Sequence, residues 1–247
     1  MVDLKQQKSD LRQFYLQKRQ NITKEQKQKY DKKLCAAIVN SISYKYYDTL
    51  LFYAAKPDEP DLSEAALKAL SDGKRVAYPR CVPGERRMVF HTVTDLSQLK
   101  SGSFSIMEPD EALPALDFSS PSCSVCFIPA VVTDKNGYRI GYGGGYYDRF
   151  LSGYNGVSAT VVYSDFIVPS VPHGKFDASA DMIITEGGIT RIVKNLRLSY
   201  NSPFMLCDIR ADIRGVLYKA AERIFRHVVF HGFRFADMRV YFTVNNI

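Results

Sequence analysis

Four glycines, three tyrosines, an aspartate and two arginines fall within eleven residues, Arg139-Ile-Gly-Tyr-Gly-Gly-Gly-Tyr-Tyr-Asp148-Arg149. Backbone without Cβ atoms can approach a polyphosphate closely, and the start of a helix offers it unpaired N–H groups. Arginine suits phosphate oxygens, and a carboxylate beside them can share a magnesium ion with the phosphates. The parts are those of a nucleotide–metal site. The segment lacks the Lys-Ser/Thr of a P-loop, and its glycine spacing is not the G-x-G-x-x-G of a dinucleotide fold.

Elements on either side must position this segment. Before it, Ser124–Val132 has the composition of a buried strand, and Asp134-Lys-Asn-Gly137 signals a tight turn, Asn-Gly being a type I′ pair. After it, Tyr146–Leu151 can form about two helical turns before Gly153 stops them. At the other end of the chain the spacing predicts a helix over 3–20. Leu4, Leu11, Phe14 and Tyr15 lie on an apolar side, and Lys8, Arg12 and Arg19 on a basic one. Thr23 with Gln26 reads as a capping box for a second helix, whose Tyr30, Leu34, Ile38 and Ile42 should pack on a sheet. Thr49–Tyr53 reads as a short buried strand. Then comes the proline-stiffened acidic loop Lys56-Pro-Asp-Glu-Pro-Asp61, with Asp61 and Glu64 as a further capping box. Strands are expected at Arg75–Pro79, Met88–Val93, Val157–Tyr163 and Met182–Thr185, with 95–121 weakly patterned. Strands alternating with helices imply an α/β fold with a mostly parallel sheet.

Composition narrows the classes. The 247 residues fit one α/β domain or a domain with an appendage. The polar first twenty residues argue against a secretory signal, and no apolar run approaches the ~20 residues of a bilayer span. Five scattered cysteines suggest a reducing cytosol, and the Cys123–Cys126 pair has no second pair to complete a zinc site. The net charge of +7 is uneven. Residues 1–193 hold 24 basic and 22 acidic side chains, residues 194–247 hold 9 and 4. The main domain is therefore nearly balanced, which removes support for nucleic-acid binding.

Four patches, in order, carry a resemblance. They are Lys8-Ser-Asp-Leu-Arg12, Glu59-Pro-Asp61, the block running from Phe127-Ile-Pro-Ala130 to Gly-Tyr-Gly-Gly-Gly-Tyr-Tyr-Asp-Arg149, and Asp177 with Asp181-Met-Ile-Ile-Thr-Glu186. Together they resemble the 5-formyltetrahydrofolate cyclo-ligase (methenyltetrahydrofolate synthetase) family over residues 5–192. The resemblance implies a three-layer αβα sandwich of the NagB/RpiA/CoA-transferase type. It implies ATP- and magnesium-dependent ring closure of 5-formyltetrahydrofolate to 5,10-methenyltetrahydrofolate, with ADP and phosphate released. The alternative is a non-catalytic nucleotide- or folate-binding module on the same scaffold.

The resemblance also assigns roles. Lys8, Arg12 and Arg139 match nucleotide-binding cations, with Lys8 and Arg139 nearest the chemistry. Gly141, Tyr142, Gly143, Gly144, Gly145, Tyr146 and Tyr147 would line the phosphates, and Tyr142 to Tyr146 the folate as well. The tyrosines could equally be ordinary half-buried rings. Glu59 matches a folate-contacting carboxylate and Ala54 a further substrate-contact position. Asp148 and Asp177 match magnesium ligands, with Asp181 as runner-up to Asp177. The partners implied are ATP and 5-formyltetrahydrofolate, free or polyglutamated, and the protein is expected to be a cytoplasmic monomer.

The family pattern covers a domain over 1–192 and leaves 193–247 as a basic extension. Asp212–Val228 could form a helix and Arg239–Val244 has strand composition. The extension is a docked extra layer, a site for an acidic partner, or a product of misread gene boundaries. Its modest charge makes nucleic acid the weakest partner.

Overall fold

Near-continuous burial along short strands sets the middle layer of the fold. The computed structural model describes residues 3–117 and 124–192. Strand β1 (Thr49–Leu51) pairs in parallel with β2 (Arg75–Cys81) on one side and with β6 (Ser124–Pro129) on the other. The parallel ladder continues through β9 (Val157–Val161) to β11 (Met182–Thr185). Antiparallel β3 (Met88–Val93) and β12 (Gly188–Arg191) form the two edges, giving the order β12-β11-β9-β6-β1-β2-β3. The mostly parallel α/β sheet expected from the sequence is present.

Period-two alternation sends neighbouring residues to opposite faces. Leu50, Val76, Tyr78, Val125 and Phe127 join the core under α2 (Lys24–Val39), α3 (Ile42–Tyr46) and α4 (Ser63–Ser71). Leu51, Ala77, Cys126 and Ile128 face the other way, where α5 (Tyr146–Leu151) packs through Tyr146, Tyr147, Phe150 and Leu151. Helix α1 (Leu4–Gln20) instead packs Leu11 and Tyr15 on a small sheet of β7 (Val132–Asp134), β8 (Arg139–Ile140) and β10 (Ile167–Val168).

Several local expectations are corrected. The strand expected over Ser124–Val132 breaks after Pro129, and the chain turns at Ala130–Val131 to enter the second sheet as β7. Arg19 takes both carbonyl oxygens of that turn, which a continued ladder would have used. The hairpin from β7 to β8 is not type I′, since Asn136 keeps a negative φ. Gly137 alone is left-handed, at φ +82°. Asp134 receives the Gly137 N–H, which makes a three-residue loop with glycine at its αL position. A Cβ on Gly137 would lie 2.7 Å from the Ala180 carbonyl oxygen.

The capping boxes are half made. Thr23 Oγ1 accepts from the Gln26 N–H, but the Gln26 side chain reaches Tyr30 instead of closing the box. Asp61 bonds Ser63, while Leu62 occupies the cap of α4 without a side-chain bond. The period through Tyr30, Leu34 and Ile38 stops at Val39, because Ser41 caps a new helix and leaves Ile42 exposed. Ladder pairing ends at Leu51, although Phe52 and Tyr53 remain buried. Residues 95–121 hold a hairpin of β4 (Leu99–Ser101) and β5 (Met107–Pro109). Cys123 and the helix and strand expected in the extension lie outside the described residues.

Candidate active site

The three cations of α1 sit on one stripe because steps of four and seven residues return to nearly the same face of a helix. Each docks on a different segment. Lys8 Nζ donates to both Asp177 carboxylate oxygens, at 2.6 and 2.5 Å. Arg12 Nε donates to the Gly141 carbonyl at 2.6 Å, and its guanidinium lies against Gly143. Arg19, at the far end, holds the Ala130 and Val131 carbonyls at 2.6 and 2.9 Å. A stripe that looks solvated in sequence is thus turned inward. Burial lowers the Arg12 pKa, yet arginine stays charged.

Arg139 leaves β8 with its side chain only 4% exposed. Its guanidinium donates to the Ala178 carbonyl at 2.8 Å and to Asp148 Oδ1 at 3.0 Å. The Ala178 N–H returns a bond to the same Asp148 oxygen at 3.3 Å. Arg139, Asp148 and the 177–178 loop therefore form one unit at the first turn of α5. That helix starts on Gly145 at φ +69°, a left-handed cap that lets the chain swing from the glycine segment into the helix. Arg149 donates back to the Gly144 and Gly145 carbonyls, tightening the entry.

The acidic loop closes on the same segment. The Tyr142 hydroxyl donates to Asp58 at 2.8 Å, and Lys56 Nζ stands 3.6 Å from the Tyr142 ring centre. Glu59 is 3% exposed and accepts the Lys56 N–H at 2.8 Å. Burial raises its pKa, partly opposed by Lys56 and Arg19. Burial likewise pushes the Tyr147 hydroxyl well above the ordinary phenol range, with Cys126, Glu59 and Arg139 in its field. Tyr147 and Tyr146 pack their rings on the core, whereas Tyr142 is exposed. Ala54 lines a cavity of about 560 Å³ with Lys24, Lys27, Lys56, Tyr78 and Met107.

Asp148 offers magnesium a suitable donor. It is one-third exposed, and Oδ2 has no hydrogen-bond partner among the described residues. Magnesium needs only one or two protein carboxylates when phosphates and waters complete its shell, so the residues fit an ion that arrives with a nucleotide. Asp177 is different. Lys8 engages both its oxygens, and the Gly174 N–H donates to Oδ2 at 2.6 Å. Burial raises the Asp177 pKa, but the Gly174 N–H and Lys8 outweigh it and the net shift is downward. Asp181 accepts from the Ser158 N–H and hydroxyl at 2.8 and 2.7 Å, so it braces β9 against β11. Among the described residues no three His, Cys, Asp or Glu side chains group as a metal site.

Comparison with known proteins supplies the decisive observation. The sequence profile of the 5-formyltetrahydrofolate cyclo-ligase family matches residues 4–186. The chain belongs to this family. A probable 5-formyltetrahydrofolate cyclo-ligase of Caenorhabditis elegans is 26% identical over 198 residues, covering 76% of this chain and 96% of that protein. The 5-formyltetrahydrofolate cyclo-ligase of Saccharomyces cerevisiae is 25% identical over 154 residues, 53% of this chain and 71% of its own length. The solved 5,10-methenyltetrahydrofolate synthetase of Aquifex aeolicus superposes with a TM-score of 0.66 at 27% identity, covering 79% of this chain and 98% of that one. The Mycoplasma pneumoniae synthetase, at 21% identity and TM-score 0.57, shares the fold.

Within this cyclo-ligase domain, sequence reasoning overlooked three contributors. Asp58 passes for a solvated loop acid until the fold brings Tyr142 to it. Phe104 lies in an unpatterned stretch, yet it is 66% exposed, left-handed at φ 57°, and set edge-on to Tyr146. Arg19 was visible as part of the basic face, but not as a buried group. A helical register shared with Lys8 and Arg12 was the one available signal. His173 stacks on Tyr138 at 3.7 Å and bonds the Val171 carbonyl, as befits a loop histidine.

Proposed function

We propose that this chain closes 5-formyltetrahydrofolate to 5,10-methenyltetrahydrofolate at the expense of ATP, releasing ADP and phosphate. The observation that carries the ATP requirement is the docking of Lys8 and Arg12 on the loops that bear Asp177 and the glycine segment, next to the Arg139–Asp148 pair. A formamide oxygen is a poor leaving group. Its attack on the γ-phosphorus expels ADP and leaves an imidate phosphate. The substrate's N10 then bonds to the formyl carbon, phosphate departs with the former formyl oxygen, and N10 gives up its proton.

Little covalent work is left to the protein, whose task is alignment and charge. Arg139, Lys8 and Arg12 gather the phosphate oxygens, while glycines 141 and 143–145 let the chain lie close to them. Tyr142 and Tyr146 offer ring faces and edges to the pterin, and Tyr147 backs the phosphate-lining segment from the core side. Glu59 in its ionised form accepts pterin N–H bonds, and Ala54 contributes shape beside it. Asp148 Oδ2, with Asp177 once Lys8 turns to phosphate, would hold magnesium. The ion, when bound, disperses the negative charge that builds on the transferring oxygens.

The catalytic unit we assign is 1–192, acting as a cytoplasmic monomer, with 193–247 dispensable for turnover. Among the described residues no helix is long and apolar enough to cross a membrane. The test follows the absorbance of methenyltetrahydrofolate from 5-formyltetrahydrofolate, with and without ATP and magnesium. Product should form only with both present. Folded protein that makes none, or makes it equally without ATP, would overturn the proposal.

A further inference from the structure

Arg19 is the most deeply buried cation among the described residues, 3% exposed, and its donors are not used up. Nη2 holds the two carbonyls of the Ala130–Val131 turn, but among the described residues buried Nε and Nη1 have no hydrogen-bond partner. The carboxylate within 4 Å of it is Asp58, at 3.8 Å from Nη1 and beyond hydrogen-bond range, and Glu59 also lies in its field. The guanidinium rests on the Phe166 ring, 5.2 Å from its centre. Taking a cation out of water is costly unless it is paired, so a buried guanidinium with spare donors calls for a role.

Its surroundings point to one. The turn it grips is where the chain leaves the main sheet for β7, β8 and the glycine segment. The carboxylate it faces is the one that receives Tyr142 from that segment. The next residue along the loop is Glu59. Three separate stretches of the site therefore meet around one side chain, which holds the turn through Nη2 and turns Nη1 toward Asp58, itself the acceptor of Tyr142; a lysine has one nitrogen for both directions. We infer that Arg19 is a positioning residue that locks the Asp58–Glu59 loop and Tyr142 against the Ala130–Val131 turn, setting the folate side of the site while leaving the nucleotide side to Lys8, Arg12 and Arg139. The inference rests on the cyclo-ligase reading above.

Electrostatics agree in direction. Groups facing Glu59 are Arg19 from α1, Lys56 and Asp58 from its own loop, Tyr53 beyond β1, Tyr142 from the glycine segment and Tyr147 from α5. Arg19 and Lys56 favour the ionised carboxylate, whereas burial and the acidic neighbours oppose it. Losing the Arg19 charge raises the Glu59 pKa further. Since the ionised form is the one that accepts pterin N–H bonds, the acid limb of kcat/KM then moves to higher pH.

The experiment compares wild type with Arg19→Lys, Arg19→Met and Asp58→Asn, after thermal melting has established which are folded. In Arg19→Lys, KM for 5-formyltetrahydrofolate should rise about ten-fold with kcat within about three-fold, and KM for ATP within about two-fold. Arg19→Met should show the same split together with an acid limb displaced upward. Asp58→Asn lies at the one-third-exposed end of the contact and should raise the folate KM without loss of stability, and combining it with Arg19→Lys should add less than the sum. Equal losses in both KM values and kcat, tracking the loss of folded protein, would reduce Arg19 to a structural group and overturn the inference. So would an unchanged folate KM in Arg19→Lys. Should wild type itself lack turnover, calorimetric binding of 5-formyltetrahydrofolate gives a separate readout. Weaker binding in the folded variants would still uphold the positioning role, and equal binding would sink it.

Discussion

Arg139 and Asp148 illustrate how one contact serves two ends. The guanidinium is nearly sealed from solvent and the carboxylate one-third open, so the pair is anchored from below and accessible from above. Asp148 Oδ1 is committed to Arg139 and Ala178, which leaves Oδ2 for an incoming ligand. Replacing Asp148 by Asn keeps the Oδ1 acceptor but removes the charge a divalent ion requires. Turnover should fall by about 100-fold or more, a transition-state loss of ~3 kcal/mol, with little change in melting temperature. The magnesium activation curve should also shift to higher concentration, and unchanged activation would refute the assignment of Asp148. That these two residues belong together was legible in sequence, because their types and spacing placed both in one short segment, and the structure pairs them. Asp58 was not, since a loop acid has no periodicity and its partner Tyr142 is 84 residues away.

Among the elements, the passage from glycine segment to α5 carries the site. Gly145 sits at φ +69°, and a Cβ there would lie 2.8 Å from Arg149 Nη1. Gly145→Ala should cost roughly 1–2 kcal/mol from backbone strain alone. It should also raise KM for ATP, because the first turn bearing Asp148 would shift relative to Arg139. A variant with wild-type ATP kinetics would show that the left-handed cap is not needed for the nucleotide. The glycine cluster announced a special backbone, but not which glycine would be the cap. That depends on where β8 ends and where α5 can pack Tyr147 and Phe150 on the sheet. Helix α1 teaches the same point. Its period predicted a basic stripe, while the direction that stripe faces came from Leu11 and Tyr15 packing on the small sheet.

For the whole molecule, the family match and the seven-stranded sheet occupy residues below 192, and the balance of charge in 1–193 sets that part apart from the basic remainder. A chain shortened to 1–192 should fold and retain turnover within about two-fold of full length, as expected when no catalytic group is removed. Loss of soluble, folded protein on truncation would instead make the extension a layer of the domain. Strand–helix alternation and four motif patches in order were enough to determine the fold class and the family, and they named the residues proposed to face the nucleotide. Each of those signals is local, encoded by residue type and spacing along the chain. Tertiary structure alone decided that the strand breaks after Pro129, that Asp181 braces two strands, that Lys8 neutralises Asp177, and that Arg19 is buried where three site segments meet. Such outcomes depend on contacts that span 23 to 169 residues of chain, and on which donors and acceptors burial leaves to find one another.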